Sequence, residues 1–517
     1  MKKLAALVLI AAMAAISAPP RRRAAKAPAP PKPAIVPIGV DSENPHYLHF
    51  RGKATVFIGS TEHYGAILNT AFDIGKYLDA VHDAGLNLVR IFNGAYVETL
   101  DSTVFQGADQ NTLAPRPDQY RAPWKRSTQP GYAGGGNKFD LSQWDDAYFE
   151  RLHNFISEAG KRNIAVEVTL FSVLYGNGSK GWGSWNLNPL DASNNVNGFS
   201  NAAWDRFNTL EEPKLTAAQD ALVQKTAAAI DDLDNFYYEI CNECYFSGAG
   251  ARETAAWVRH IAATLTSAET KLPLRHAIAE NVANGYATIE APDPAVSIWN
   301  FHYASPPSAL PINWGLNKPI AFDETSNGCT SLDRRREAWA FALSGGAVYD
   351  NLDASFKTDN AAGTDSPGCH ETRYELRTLA KFLSGLDLKR MRPAREEVRE
   401  WPLFSSEAFM LKDPDSTYAI YLKGGTNMRI STLLLDVSAG RFQTEWLNPR
   451  TGDSDRKPAF DHPGGVLKIQ TPAYSEDLAI KVVRVGEPPK PAPKPVSKPA
   501  RRTHKKAATR APSSRSR

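Results

Sequence analysis

The sequence predicts an α/β fold: a (β/α)8 TIM barrel followed by a small all-β sandwich domain. Between about residue 54 and residue 385, short apolar strands alternate with longer helical stretches, the pattern of parallel strands joined by helical crossovers. Beyond Pro393 the rhythm shortens to strands of alternating polarity punctuated by Gly and Pro. Two barrel strands also stop on acids, Glu243 and Glu324, and such barrels build their active sites at the C-terminal strand ends.

Eight barrel strands are predicted, over residues 55–60, 87–93, 164–171, 236–243, 276–280, 296–302, 319–324 and 347–352. Helices with apolar residues at three-and-four spacing lie between them, among them 74–84, 144–162, 216–233 and 252–266. Two connections, 94–140 and 172–214, are much longer than a strand-helix unit requires, and long loops over a barrel mouth usually carry function. Their aromatics Trp124, Tyr132, Tyr175, Trp182 and Trp185 have the ring faces that suit sugar C–H groups, or pin the loops to the barrel. The sandwich strands are expected at 408–411, 418–422, 430–436, 442–447, 466–470 and 478–485, with turns at Gly424-Gly425, Pro449 to Gly452 and Pro463-Gly464-Gly465.

The ends differ from the middle. Met1-Lys2-Lys3, an apolar run to Ile16 and small residues through Ala18 have the three regions of a secretory signal, too short to anchor in a bilayer. The expected organisation is a signal peptide at 1–18, a Pro-rich basic linker at 19–40, the barrel at 41–390, the sandwich at 395–486 and a Pro/Lys/Arg tail at 487–517. A secreted or periplasmic, soluble protein follows. The first forty residues carry seven Lys or Arg and the last thirty carry ten, with no acid in either. Taking those seventeen charges from the net +4 leaves −13 for residues 41–487, so the folded part is acidic and offers nothing specific to nucleic acid. The tail is expected to be solvated and extended, with a basic stretch at 501–517 suited to anionic envelope polymers.

Four cysteines in an exported chain allow two disulfides, although their spacing matches no compact framework or zinc site. A loop-to-loop bridge between Cys329 and Cys369 fits their positions after two late strands. Cys241 shares the strand parity of Glu243 and is expected to point where the acid points, and the Cys241-x-x-Cys244 spacing reads as coincidence rather than redox chemistry.

Chemistry concentrates at the strand ends. An ionisable group at the mouth of the buried strand Phe-Tyr-Tyr-Glu-Ile-Cys-Asn-Glu is costly to desolvate, which marks Asn242 and Glu243 as site residues. Hydrolysing a glycosidic bond takes one carboxyl to protonate the leaving oxygen and another to attack the anomeric carbon or activate water, and Glu243 and Glu324 fit those roles. Asn242 suits the sugar 2-hydroxyl. Tyr303, ending the strand that carries His302, is suited to donate to a carboxylate and keep it ionised. Arg90 is expensive to bury unpaired, and Glu324 or another inner acid is its natural partner. Glu239 is expected to pair with a base deep in the barrel, with Glu167 and Glu280 as reserve acids. Asp323 is adjacent to Glu324 and competes with it for the role. No His-x-His or His/Asp cluster is spaced as metal-dependent barrels require, so neither metal nor cofactor is expected.

These residues resemble the retaining (β/α)8 glycoside hydrolases of clan A, especially the family 5 cellulase-like enzymes. The string Tyr238 to Glu243 looks like their fourth-strand motif, which implies that Glu243 is the acid/base. The strand ending at Glu324 looks like their seventh, which implies the nucleophile; Arg90, His302 and Tyr303 are similar to their supporting residues. Three departures mark a distant branch: Cys244 stands where Pro is usual, strand three lacks the customary His, and strand eight offers Tyr349-Asp350-Asn351 in place of a Trp. The first strand's ending also differs and adds Glu62 and His63 to the expected site. The expected substrate is a β-linked poly- or oligosaccharide, with Glu243 and Glu324 about 5 Å apart if the mechanism is retaining. The alternative from another class is a carbohydrate-binding or envelope-attached barrel that has lost activity.

Overall fold

In the computed structural model, eight parallel strands close into a barrel: β1 (Phe57–Thr61), β2 (Leu88–Phe92), β3 (Ala165–Ser172), β4 (Phe236–Asn242), β5 (Ile278–Asn284), β6 (Ile298–His302), β7 (Ile320–Glu324) and β8 (Val348–Leu352). They neighbour one another in chain order, and β8 returns to β1 in register from Val348 opposite Phe57 to Leu352 opposite Thr61. The structure describes residues 35–100, 113–175, 185–198, 203–325, 329–401, 407–414 and 416–487. The expected signal, most of the linker, the tail from 488 and Trp182 lie outside them. No helix among the described residues is long and apolar enough to cross a membrane.

The strands are buried on both sides, by helices outside and by side chains inside, and therefore read as continuous apolar runs interrupted only by paired polar groups. Helices α1 (Ile74–Asp83), α2 (Asp146–Lys161), α3 (Pro213–Ile230), α4 (Ala251–Glu269), α5 (Ala309–Asn313), α6 (Ser331–Ala342) and α7 (Pro367–Ser384) supply the outer layer. In α2, Tyr148, Leu152, Phe155, Ile156 and Ala159 recur at helical spacing and are buried, and Asp145 caps the helix by accepting from the Ala147 N–H.

Strand β5 runs further than predicted. A register shift between Asn281 and Ala283 lets it continue alongside β6 until Asn284 opposes His302, which carries Asn281 and Asn284 to the barrel mouth. The first long connection folds into a hairpin, Trp124–Pro130 with Asn137–Trp144. Phe139 of that hairpin exchanges backbone hydrogen bonds with Asn194 and Val196, so the two long loops are tied together.

The C-terminal sheets face each other. One has seven strands, β9 (Arg392–Pro393), β11 (Glu407–Asp413), β12 (Thr417–Lys423), β14 (Gly440–Leu447), β15 (Ser454–Arg456), β16 (Phe460–His462) and β18 (Asp477–Gly486); the other joins β10 (Arg399–Trp401), β13 (Thr432–Val437) and β17 (Gly465–Gln470). Alternation along β12 assigns its two faces. Tyr418, Ile420 and Leu422 pack between the sheets with Leu433, Leu435, Ile469, Ile480 and Val482. Ala419 and Tyr421 face the barrel and belong to its core, with Tyr421 stacked on Trp339 of α6 at 5.4 Å between ring centroids. Beside that stack Arg335 of α6 is buried, pairing at 2.6 Å with Glu375 of α7 and at 2.8 Å with both Glu476 and Asp477 at the start of β18.

Candidate active site

The C-terminal mouth of the barrel is organised around Arg90. Its guanidinium, 5% exposed, lies 2.7 Å from Glu239, 3.0 Å from Glu324, 3.6 Å from Asp323 and 4.0 Å from Glu167, and it donates to Asn242 Oδ1 at 2.8 Å. One cation cannot neutralise four carboxylates, and the acids adjust. Burial, with Asp323 and Glu239 close by, pushes Glu167 well above the usual carboxylate range, and burial does the same to Asp350, which accepts from the Thr61 hydroxyl. Burial also raises Asp323, but the charges of Arg90 and His302 outweigh it and hold that acid below the usual range.

Glu324 and Asp323 are adjacent yet both reach this interior, because the register of β6 against β7 shifts between Phe301 and His302. Asp323 lies deep and fully enclosed, while the Glu324 side chain keeps 12% exposure and opens to the cleft. Tyr303 donates to Glu324 Oε1 at 2.8 Å and Arg90 to Oε2 at 3.0 Å, so each oxygen is held in place by a donor.

Glu243 follows β4 in a left-handed conformation, φ 51° and ψ 33°. Such a backbone costs a residue with a Cβ on the order of 1 kcal/mol or more. It is held by a bond from its own N–H to Asn281 Oδ1 at 2.8 Å. Its carboxylate faces His302 Nδ1 at 3.1 Å and accepts from the hydroxyls of Tyr175 and Tyr245. Burial raises the Glu243 pKa, but the hydrogen bond and charge of His302, with Tyr175 and Arg90, bring it below the usual value. Burial lowers His302, while Glu324, Asp323 and Glu243 outweigh it and hold the imidazolium well above its ordinary range; its Nε2 lies 3.2 Å from Asp323. The proton of this pair therefore rests mainly on His302, shared towards Glu243.

A carboxylate oxygen of Glu243, one of Glu324 and a nitrogen of His302 lie within 4.8 Å of one another. Glu239, His302 and Asp323 form a similar group, so the structure gathers the kind of cluster whose signature the sequence lacks. Within these groups His302 pairs with Glu243 and Asp323, Glu324 is held by Arg90 and Tyr303, and Arg90 supplies countercharge.

Asn242, Glu243, Glu324, Arg90, His302 and Tyr303 thus converge. Glu239 pairs with Arg90 as expected of it, and Glu167 accepts from Tyr237 at 2.8 Å inside the barrel, whereas Glu280 senses Asp293 and Arg259 outside this group, and burial lifts it to about 7. Three expectations are corrected. Glu62 does not face the cleft: it is buried and accepts the N–H groups of Gly65 and Ala66, and desolvation raises it to about 7. Its neighbour His63 lies 2.7 Å from Glu98 and feels the charge of Glu324. Trp185 offers no ring face to a sugar, being buried against Phe207, and Trp124 and Tyr132 are likewise packed inside the first loop's hairpin region. Cys241 does not point where the acid points. Its sulfur is bonded to Cys244 and receives Asn208 Nδ2 at 3.6 Å.

The sequence reading gave no role to Tyr245, Asn281 and Asn284. The single hydroxyl hydrogen of Tyr245 lies between Asn284 Oδ1 at 2.5 Å and Glu243 Oε1 at 3.3 Å. Phe246 and Tyr286, next to them in the chain, are exposed aromatics after β4 and β5. The signal available was the Asn281-Val282-Ala283-Asn284 stretch after Glu280, which continues strand five instead of ending it.

No protein-family model matches the sequence, and no curated protein does. Solved structures do. One described as a glycoside hydrolase superposes with a TM-score of 0.57 at 14% identity, covering 87% of this chain and 97% of its own. A family 5 glycoside hydrolase from Bacteroides vulgatus gives 0.58 at 13% identity, covering 87% and 93%. The chain shares its fold with these structures. The match extends over most of both chains, barrel and C-terminal sheets together.

Proposed function

We propose that the protein is an exported retaining glycoside hydrolase that cleaves β-glycosidic bonds in a poly- or oligosaccharide, with Glu243 as acid/base and Glu324 as nucleophile. The observation that carries this reading is the approach of the two carboxylates to within 4.8 Å. A double displacement needs about 5 Å between them, whereas inversion needs about 6.5–9.5 Å to admit a water. Fold neighbours described as glycoside hydrolases add support. The reading of export rests on the basic, apolar and small-residue order of residues 1–18.

In the first step Glu324 attacks the anomeric carbon while Glu243, taking a proton from the His302 imidazolium, passes it to the departing oxygen, breaking the glycosidic bond and leaving a glycosyl ester on Glu324. In the second, Glu243 takes a proton from water, whose oxygen displaces Glu324 and releases the sugar. The donors on Glu324 suit both its attack and its departure as a carboxylate. Asn242, held by Arg90, is placed to bind the 2-hydroxyl, where a contact strengthens as charge develops on the ring. His302 supplies the proton that Glu243 lends. Positioned acid catalysis of this kind contributes about 10²–10⁴-fold.

The test is reducing-sugar release by wild type, Glu243→Gln and Glu324→Ala on soluble β-glucans, mannans, xylans and arabinogalactans. Release by wild type that is lost in both variants, with the first-formed anomer retaining the substrate's configuration by NMR, supports the reading. An inverted anomer refutes the nucleophile assignment, and a folded wild type silent on every polymer refutes the activity on these substrates.

A further inference from the structure

Asn242 and Glu243 are consecutive, yet both side chains enter the same cleft, Asn242 onto Arg90 and Glu243 onto His302. A regular strand forbids this, since neighbouring residues point to opposite faces. The contradiction is resolved by the left-handed backbone at Glu243, which turns the chain back before the short helix Cys244–Phe246. An acid in that conformation holds only where its surroundings over-determine it. Three things do so here. The Glu243 N–H is tied to Asn281; the Phe246 N–H closes the turn onto the Glu243 carbonyl at 2.8 Å; and a disulfide joins Cys241 to Cys244 across the back of the turn, with Cα atoms 5.8 Å apart. The residues enclosed between the two sulfurs are Asn242 and Glu243 alone.

We propose that the Cys241–Cys244 disulfide is a positioning device that holds Glu243 in its reactive orientation, an inference that rests on the acid/base role proposed above. The chain's other disulfide shows why global stability is not the better explanation. Cross-links restrict the unfolded chain more as the closed loop lengthens, and Cys329–Cys369 spans 40 residues against 3 for Cys241–Cys244. The short loop does least for the unfolded ensemble and most for the local path of the backbone. Both cysteines are buried and, bonded to each other, neither offers a titratable thiol, so their effect on the reaction passes through Glu243.

The experiment compares the wild type with Cys241→Ser/Cys244→Ser and with Cys329→Ser/Cys369→Ser on the β-glycan that the wild type hydrolyses in the polymer panel. The first double variant is expected to keep KM within twofold, lose at least tenfold in kcat and shift the alkaline limb of its kcat/KM profile, with the larger drop in Tm falling on the second. Reduction of the folded wild type with dithiothreitol, checked by circular dichroism, is expected to give the same kcat loss and to be reversed on reoxidation, which covers a variant that fails to fold. A Cys241→Ser/Cys244→Ser enzyme with kcat within twofold and an unchanged pH profile overturns the inference while leaving the proposed hydrolase standing. A wild type silent on the whole panel overturns both.

Discussion

Replacing Arg90 by Met removes the cation that four acids share. Each contact near 3 Å has a gross attraction of about 5 kcal/mol at an effective dielectric of about 20, most of it offset by desolvation. Removing one partner of such a buried pair leaves a net loss of about 3–5 kcal/mol. For the 419 described residues, an unfolding entropy of about 2.1 cal/mol/K per residue converts this to a fall in Tm of about 3–6 °C. The deficit should shrink as pH falls and the orphaned acids bind protons. Catalysis should suffer separately, because Arg90 donates to Glu324 Oε2 at 3.0 Å and to Asn242 Oδ1 at 2.8 Å. A hydrogen bond to a charged group is worth about 1.5–3 kcal/mol, so kcat/KM should fall by about 10- to 150-fold from the Glu324 contact alone. Arg90→Lys keeps the charge but not the fork; it should recover part of the Tm and little of kcat/KM. Differential scanning calorimetry and steady-state kinetics on the same preparations read both quantities. An Arg90→Met enzyme with unchanged Tm and kcat/KM within twofold would refute the account of the site as one charge-balanced cluster.

Three further outcomes are expected. Tyr303→Phe removes one donor to Glu324 and should lower kcat by about tenfold with the fold intact, in line with about 1.5 kcal/mol for such a bond; equal activity would detach Tyr303 from the nucleophile. Glu62 has a folded pKa of about 7, raised by burial from 4.5, so its favourable contribution is complete below about pH 4.5 and is lost as pH rises through 7. Between those limits urea denaturation should show Glu62→Gln gaining about 3 kcal/mol on the wild type, and a pH-independent difference would contradict the buried-acid assignment. Arg335→Met should lower Tm by a few degrees while KM stays put, since its partners Glu375, Glu476 and Asp477 join the barrel to the sheets far from Glu243.

The strands were legible because burial on both faces writes apolar runs into the sequence, and the acids Glu243 and Glu324 stood out where those runs stopped. Legibility failed wherever a bulge or a left-handed residue broke the period of two. Asn281 and Asn284 reach the mouth through the bulge in β5, Asp323 and Glu324 enter together through the one between β6 and β7, and the left-handed Glu243 brings its carboxylate into the same cleft as the neighbouring Asn242 while Cys241 is bonded to Cys244. Loop aromatics failed for another reason. Trp185 and Tyr175 look alike in composition, but only the fold shows that Trp185 is packed away while the Tyr175 hydroxyl meets Glu243.

The stacking of Tyr421 on Trp339, and the place of Ala419, Tyr421 and Ala479 in the barrel's own core, bear on how the proposed hydrolase would meet a polymer. A binding module on a flexible linker raises the local concentration of substrate by sweeping a volume around the enzyme. A sheet fused to the barrel through shared apolar side chains sweeps nothing. Whatever lies against its outer face is held at a fixed bearing to the cleft, so under the proposed activity the sandwich would set the register of an entering chain and would not fetch one from a distance.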